Sequence, residues 1–393
     1  MAATQPASPA PDGRPPAEAS SASGARSVFV DLARAAAVLM MIQGHTIDAV
    51  LASELRAGTL YQSWSFLRGL TSCTFLMLSG FVFTIATLRH WPAHLAPGPP
   101  VFRRLRRFGF FLVLGYALHF PVGSFDRLWQ MSDERWRSFL VADVLHCIAV
   151  SLVALQALVM VTRTPRRYAM AAAALATIVV VSWPLVWRAD WSFLPWSLAA
   201  YLTPRHGSLF PLVPWSGYVF FGAVMGALYV REGRTNLGAF TRRYLLGGGL
   251  ALLGGAFVVR SVPLAPLGAT GFWYDSPTQF MMRAGLVLLV LAAAAQISRS
   301  VVHKPPIAHA LAQESLTIYA VHLCLVYGSI WNNGLYQRIG PQLGWPAAAG
   351  FAAALWAVMA LWAVGWNGIK RVHPRVAGAL RWGAAAFLVS RLW

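Results

Sequence analysis

The chain has 393 residues, of which 57% are hydrophobic and only 11% charged, and its mean hydropathy is +0.55. A soluble domain carries roughly 25% charged residues, so this composition excludes a water-soluble globule. The formal charge of +19, from 32 Lys+Arg against 13 Asp+Glu, would point to nucleic acid in a soluble chain. In a membrane chain it records basic loops gathered on one side of the bilayer, and no nucleic-acid partner is expected.

Residues 1–25 are rich in Ala, Pro and Ser and lack the apolar stretch of a signal peptide. They read as a disordered cytoplasmic tail. Eleven apolar segments follow, near 28–50, 64–88, 106–121, 138–161, 168–187, 210–230, 242–260, 280–298, 312–331, 346–366 and 376–392. Most approach the ~20 residues that cross ~30 Å of hydrocarbon. The expected fold is therefore all-α, a polytopic membrane protein with about 10–11 transmembrane helices in a single domain, 26–393. The segment at 106–121 is short, and 376–392 contains Arg381 and ends at Arg391. Cys73, Cys147 and Cys324 lie inside apolar runs without a Cys-x-x-Cys pair and read as packing residues.

An ionisable group at membrane depth costs at least ~2.5 kcal/mol, which makes each one a functional candidate. The first span holds Asp31, Arg34, Gln43, His45 and Asp48. At 100° per residue Asp31, Arg34, His45 and Asp48 share an arc of about 100°, and Arg34 and His45 stand about 16 Å apart along the axis. This face has two stations. Asp31 and Arg34, at i and i+3, are expected to pair near one end. His45 and Asp48 form a second i, i+3 pair, in which the carboxylate would orient an imidazole acting as general base. Gly44 leaves room for a neighbouring helix or a substrate.

Phe102-Arg103-Arg104-Leu105-Arg106-Arg107 caps the third span, either as a topology signal or as a phosphate-binding group. Asp143 and His146 repeat the i, i+3 spacing at the fourth span, and His119, Arg283, Glu314 and His322 are further polar groups at or near membrane depth. His322 fits a packing or a catalytic role. Two ligands do not make a zinc site and there is no His-Glu-x-x-His, so no metal is expected. No Walker or Gly-x-Ser-x-Gly motif is present either. The long loops near 121–137, 188–209 and 261–279 are rich in Trp, Pro and Gly. Trp187, Trp191, Trp196 and Trp273, in or beside them, suit either an interfacial belt or stacking against sugar rings.

The loops 89–107, 163–167, 231–243, 299–304 and 370–375 hold 17 basic residues against the single acid Glu232. The alternate connections hold nine arginines, Arg68 counted among them, against six acids. This asymmetry puts the N-terminus in the cytoplasm.

Several of these pieces resemble a known family. Arg26-Ser-Val-Phe-Val-Asp31-Leu-Ala-Arg34 followed by Gly44-His45-Thr46 is similar to the start of the transmembrane acyltransferase superfamily. Ser79-Gly80-Phe81, Asp143-Val-Leu-His-Cys-Ile148, the run Phe210 to Gly222 and Glu314-Ser-Leu-Thr-Ile-Tyr319-Ala-Val-His322 narrow it. Together they resemble bacterial proteins with a heparan-alpha-glucosaminide N-acetyltransferase-like catalytic domain, related to acyltransferase-3, over about 26–370. The resemblance implies a multi-pass protein of a bacterial inner (plasma) membrane, moving an acetyl group from cytoplasmic acetyl-CoA to a sugar amine or hydroxyl outside. His45 would be the base, with Asp48 beside it. Asp31 and Arg34 would organise the donor, the basic run would meet its phosphates, and Asp143, His146, Arg283 and His322 would support the site. Ala35 stands where the family often has Gly. The partners implied are the lipid bilayer, an acyl-CoA and a carbohydrate-like acceptor. The alternative is a proton-coupled transporter of a small solute, although the broken helices and repeat halves expected of one are not evident in the sequence.

Overall fold

Residues 28–261, 276–301 and 305–390 are described in a computed structural model of the chain. The 1–25 tail, Trp273, Asp275, Lys304 and Arg391 lie outside these residues. Hydrocarbon offers no water to the backbone, so each apolar run closes its hydrogen bonds within a helix, and the described chain is all-α. The principal helices are α1 (Val28–Val50), α2 (Thr59–Arg89), α3 (Pro99–Leu118), α4 (Val144–Thr162), α5 (Pro165–Val181), α6 (Leu212–Leu228), α7 (Gly248–Arg260), α8 (Pro277–Ser300), α9 (Pro306–Gln313), α10 (Ser315–Tyr327), α11 (Trp345–Val372) and α12 (Pro374–Ser390).

Among the described residues six stretches are long and apolar enough to cross a membrane, α1, α2, α4, α6 continued by a π-helical turn to Gly233, α8 and α11, and the bent pair α9–α10 is a broken span or a re-entrant loop. The other predicted segments are helical too, but shorter or more basic. α5 and α12 have 17 residues each. α7 is preceded by a π-helical turn, Thr241–Gly247. α3 begins at Pro99 and takes the arginine run into its own first turns. That run is therefore part of a helix face and not a cap before it. The predicted segment 312–331 differs most, because α9 and α10 meet at Glu314 with a 76° bend. A broken helix is present after all.

α1 is the central helix, packed against α2, α8, α9, α10 and α11. Phe29, Val30 and Ala33 at its start join an apolar core with α2, α4, α5, α6 and α8. Farther along, Val38, Met41, Ile42 and Ile47 join a second core with α9, α10 and α11. The site lies between these two cores.

Helices in lipid gain little from apolar burial against each other and rely on close backbone packing at small residues. The tightest crossing here is α2 on α6. A Cβ added to Gly222 would strike the Met77 backbone, one on Gly80 the Val219 carbonyl, and one on Gly226 the Phe81 carbonyl. Gly222→Leu is accordingly expected to cost more than the ~1–3 kcal/mol of ordinary overpacking, because backbone and not side chain must yield. The check is monodispersity and thermal unfolding in detergent. Gly350→Leu on α11, where an added Cβ meets nothing within 4 Å, should leave both unchanged.

Candidate functional site

A cavity of about 940 Å³ runs along α1 between the two cores. Arg34, Arg104 and Arg107 line it towards the N-terminal ends of α1 and α3, and His45, Asp48 and Arg68 line it towards the C-terminal end of α1. The shared arc of α1 therefore has a physical counterpart, one continuous wall joining the two stations. Apolar and small residues of α2, α3 and α4, among them Ser79, Phe83, Phe108 and Ile148, form the opposite side.

At the arginine end the partners differ from those expected. Asp31 does not line the cavity. Its carboxylate accepts from His309 Nδ1 on α9 at 2.9 Å, and Gln313 Nε2 donates to His309 Nε2 at 3.0 Å. Asn367 on α11 donates to Gln313 Oε1 at 2.8 Å, so a hydrogen-bonded chain ties α11, α9 and α1 together. The broken helix brings a histidine to Asp31, and Arg34 is left facing the cavity instead of closing on Asp31 as its expected i, i+3 partner. Glu314, 1% exposed, sits at the bend and is paired with Lys370 of α11. Removing Lys370 would strand the buried Glu314 carboxylate.

The four arginines of α3 divide. Arg104 Nη1 donates to Thr87 of α2 at 2.9 Å and to Gln156 of α4 at 3.1 Å, with its guanidinium 5.0 Å from the Phe83 ring centre. Arg107 is exposed, lies over Phe111 and lines the cavity. Arg103 and Arg106 are exposed and do not line it. Gln156 also donates to the His94 carbonyl at 3.0 Å. His94 lies in the short helix Trp91–His94 after α2. Burial, with Arg104 adding to it, pushes this histidine down to about 4, so it brings no charge to this end at neutral pH. Arg104 and Arg107, facing the cavity here, have neutral or aromatic partners, the arrangement expected of a site for an anionic ligand.

At the other end His45 and Asp48 are not bonded to one another. Asp48 pairs with Arg68 Nη1 at 3.1 Å, and Arg56 Nη2 donates to the Asp48 carbonyl at 2.7 Å. The Arg68 side chain reaches Asp48 by lying against Gly44, where an added Cβ would come within 3.1 Å of its Cγ and Cδ. The bare face of Gly44 thus admits an arginine stem. His45 Nδ1 instead meets the Tyr327 hydroxyl at 3.2 Å, with the rings edge-on at 5.6 Å. Tyr327 ends α10 at Gly328, whose φ of +78° suits glycine. Asn332 and Gln337 tie the loop back by donating to the Cys324 and Tyr327 carbonyls at 2.8 and 2.5 Å.

Asp143 lines the cavity and accepts from the Tyr319 hydroxyl of α10 at 2.5 Å, while its own N–H donates to His146 Nδ1 at 3.0 Å. His146 is buried under the Tyr116 ring, away from the cavity wall. His119 Nδ1 donates to the Gly115 carbonyl at 3.0 Å. Arg283 is not on the wall. It lies behind Gly69, near Cys73 and Tyr218.

Sequence reading missed Tyr327 and His309 and quoted Tyr319 only within the family-like run, since a single tyrosine or histidine carries no motif of its own. Arg68 had a signal, an arginine inside an apolar run, but was counted with the loops. A second cavity of about 320 Å³ adjoins this end and shares His119, Cys324, Tyr327 and Gly328 with the first. Trp331 lines it. Trp187 and Trp191 donate to the Val213 and Val186 carbonyls at 2.8 Å each, and Trp196 stacks with Arg137 and His206. These three tryptophans line neither cavity.

Compared with known proteins, residues 26–256 match the family described as heparan-alpha-glucosaminide N-acetyltransferase, catalytic. The match contains Arg34, His45, Arg104 and Asp143 and ends before the broken helix. No curated protein and no solved structure matches.

Proposed function

The chain belongs to the heparan-alpha-glucosaminide N-acetyltransferase catalytic family, and from that premise we propose that it transfers the acetyl group of acetyl-CoA through its central cavity to a sugar amine or hydroxyl. The observation that carries this reading is the single cavity joining the arginines to His45. CoA has its phosphates at one end and its thioester at the other end of a pantetheine arm. Arg34, Arg104 and Arg107 hold the phosphates by charge-assisted hydrogen bonds, and the arm lies along α1, over the ~16 Å between Arg34 and His45.

The thioester is already activated, so the protein needs to position it and remove one proton. With Nδ1–H donating to the Tyr327 oxygen, His45 Nε2 is the free base. It takes the proton from the acceptor nitrogen or oxygen as that atom bonds to the thioester carbon. The C–S bond then breaks, and the CoA thiolate leaves and receives the proton. Asp48 acts at one remove, by holding Arg68 against α1. The cavity at Trp331 is where the acceptor enters.

The excess of basic loops supports an arginine end in the cytoplasm and a His45 end outside, and the family resemblance implies a bacterial inner (plasma) membrane. A cysteine at exposed Ser132 should react with an impermeant maleimide in intact cells, and one at exposed Ala96 should react only after lysis, with Cys324 replaced by Ser. The reverse pattern inverts the orientation.

One observation favours a second reading. The 76° break between α9 and α10 is a feature of proton-coupled transporters. Purified protein in detergent, given labelled acetyl-CoA and glucosamine, separates the two. Labelled N-acetylglucosamine supports the transferase. Absence of transfer, together with gradient-driven solute uptake in vesicles, supports the transporter.

A further inference from the structure

The broken helix places a second histidine beside His45, behind the cavity wall. His322 is 0% exposed, and its ring centre lies 5.3 Å from that of His45. Its Nδ1 lies 2.8 Å from the Ile318 carbonyl, an acceptor only, so the neutral ring carries its proton there and its lone pair on Nε2. That Nε2 is buried without a hydrogen-bond partner among the described residues. A phenylalanine or leucine would fill the same space without burying an open acceptor, so packing alone does not account for the imidazole.

The proton that His45 receives has no free carboxylate to balance it among the groups identified around the pair. Asp48 is committed to Arg68, whose own charge opposes an imidazolium next to it. Arg56 lies beyond Asp48, and Tyr327 is neutral. On the His322 side Asp143 is bonded to Tyr319, and Glu314, two turns away, is paired with Lys370. His322 Nε2 is an open acceptor on the ring beside His45.

We infer that His322 is the proton partner of His45, its Nε2 accepting the N–H of the protonated His45 ring until the departing CoA thiolate takes that proton. This rests on the reading of His45 as the base. Proton balance is kept, because the proton that leaves the acceptor stays on His45 Nε2, with His322 Nε2 as a second acceptor for it, and ends on sulfur as the C–S bond breaks. His322 touches no reacting atom and is a positioning residue for the charge that forms on His45.

The test is the pH profile of kcat for acetyl transfer from acetyl-CoA to glucosamine, measured on folded, monodisperse wild type, His322→Phe, His322→Asn and His322→Gln. Phe keeps the ring volume, and Asn can keep the Ile318 bond, but neither places a lone pair at the Nε2 position. Losing the acceptor weakens the base, so each should lower the plateau about 10- to 100-fold and move the acid limb to lower pH. The donor KM should hold within about twofold. Gln, whose amide oxygen accepts, should recover part of the plateau. Either Phe or Asn suffices if the other does not fold. A folded Phe or Asn variant with the wild-type plateau and limb overturns the inference, as does a lowered plateau with an unmoved limb, which marks a packing role. If wild type transfers no acetyl group, or His45→Ala is as active as wild type, the underlying reading of the site has failed instead.

Discussion

His45→Ala lowers acetyl turnover by about 10²–10⁴-fold at saturating acetyl-CoA and acceptor, the contribution typical of a positioned general base. Because His45 acts on the acceptor proton and not on the donor phosphates, the donor KM stays near wild type, and the loss falls on kcat. The alanine variant opens onto an existing cavity and gives up one hydrogen bond, to Tyr327, so its folding is checked by monodispersity before kinetics. Asp48→Asn costs less, because Asp48 reaches the reaction only through Arg68. Tyr327→Phe removes the hydroxyl 3.2 Å from Nδ1 and should cost more than Asp48→Asn. Steady-state kinetics on purified, monodisperse variants give this order. A His45→Ala enzyme with near-wild-type kcat removes His45 from the chemistry.

Arg34→Gln and Arg104→Gln each raise the donor KM by about 10- to 100-fold, the range expected for a hydrogen bond to a charged group at ~1.5–3 kcal/mol. Arg107→Gln raises it less, since Arg107 is exposed and salt screens exposed charges. Arg103 and Arg106 point away from the cavity, and their replacement changes the donor KM least. Titrating CoA against each folded variant separates Arg34 and the four arginines of α3. Equal effects from all four would mean that the run acts as a diffuse cationic patch and not through the cavity.

Much of this arrangement is legible in the order of residues along α1. Helical period alone puts Arg34, His45 and Asp48 on one face, and a charged face inside hydrocarbon requires a cavity or partners. Apolar run length gives the helices, and the arginine run of α3 stands out by charge, although charge alone leaves it either a topology signal or a phosphate-binding group. Pairing within that face is not legible. The i, i+3 rule joins Asp31 to Arg34 and His45 to Asp48, whereas both acids are taken by residues far away in sequence, His309 on α9 and Arg68 on α2. Local spacing says which side chains share a face but not which neighbour is within reach, and across helices only the fold decides. The α9–α10 bend is hidden for a similar reason. No proline or glycine marks Gln313-Glu314-Ser315, and the break is stabilised by Lys370 and Asn367 from α11.

The central claim is that acetyl passes through one cavity from a donor on the arginine side to an acceptor on the His45 side. Proteoliposomes test it most directly. Protein is inserted in one orientation, fixed by the labelling of Ala96→Cys and Ser132→Cys, with glucosamine sealed on the His45 side and labelled acetyl-CoA added to the arginine side. The account predicts labelled N-acetylglucosamine in the sealed compartment, and none when the two compartments are exchanged. Transfer only when donor and acceptor share a compartment would contradict it.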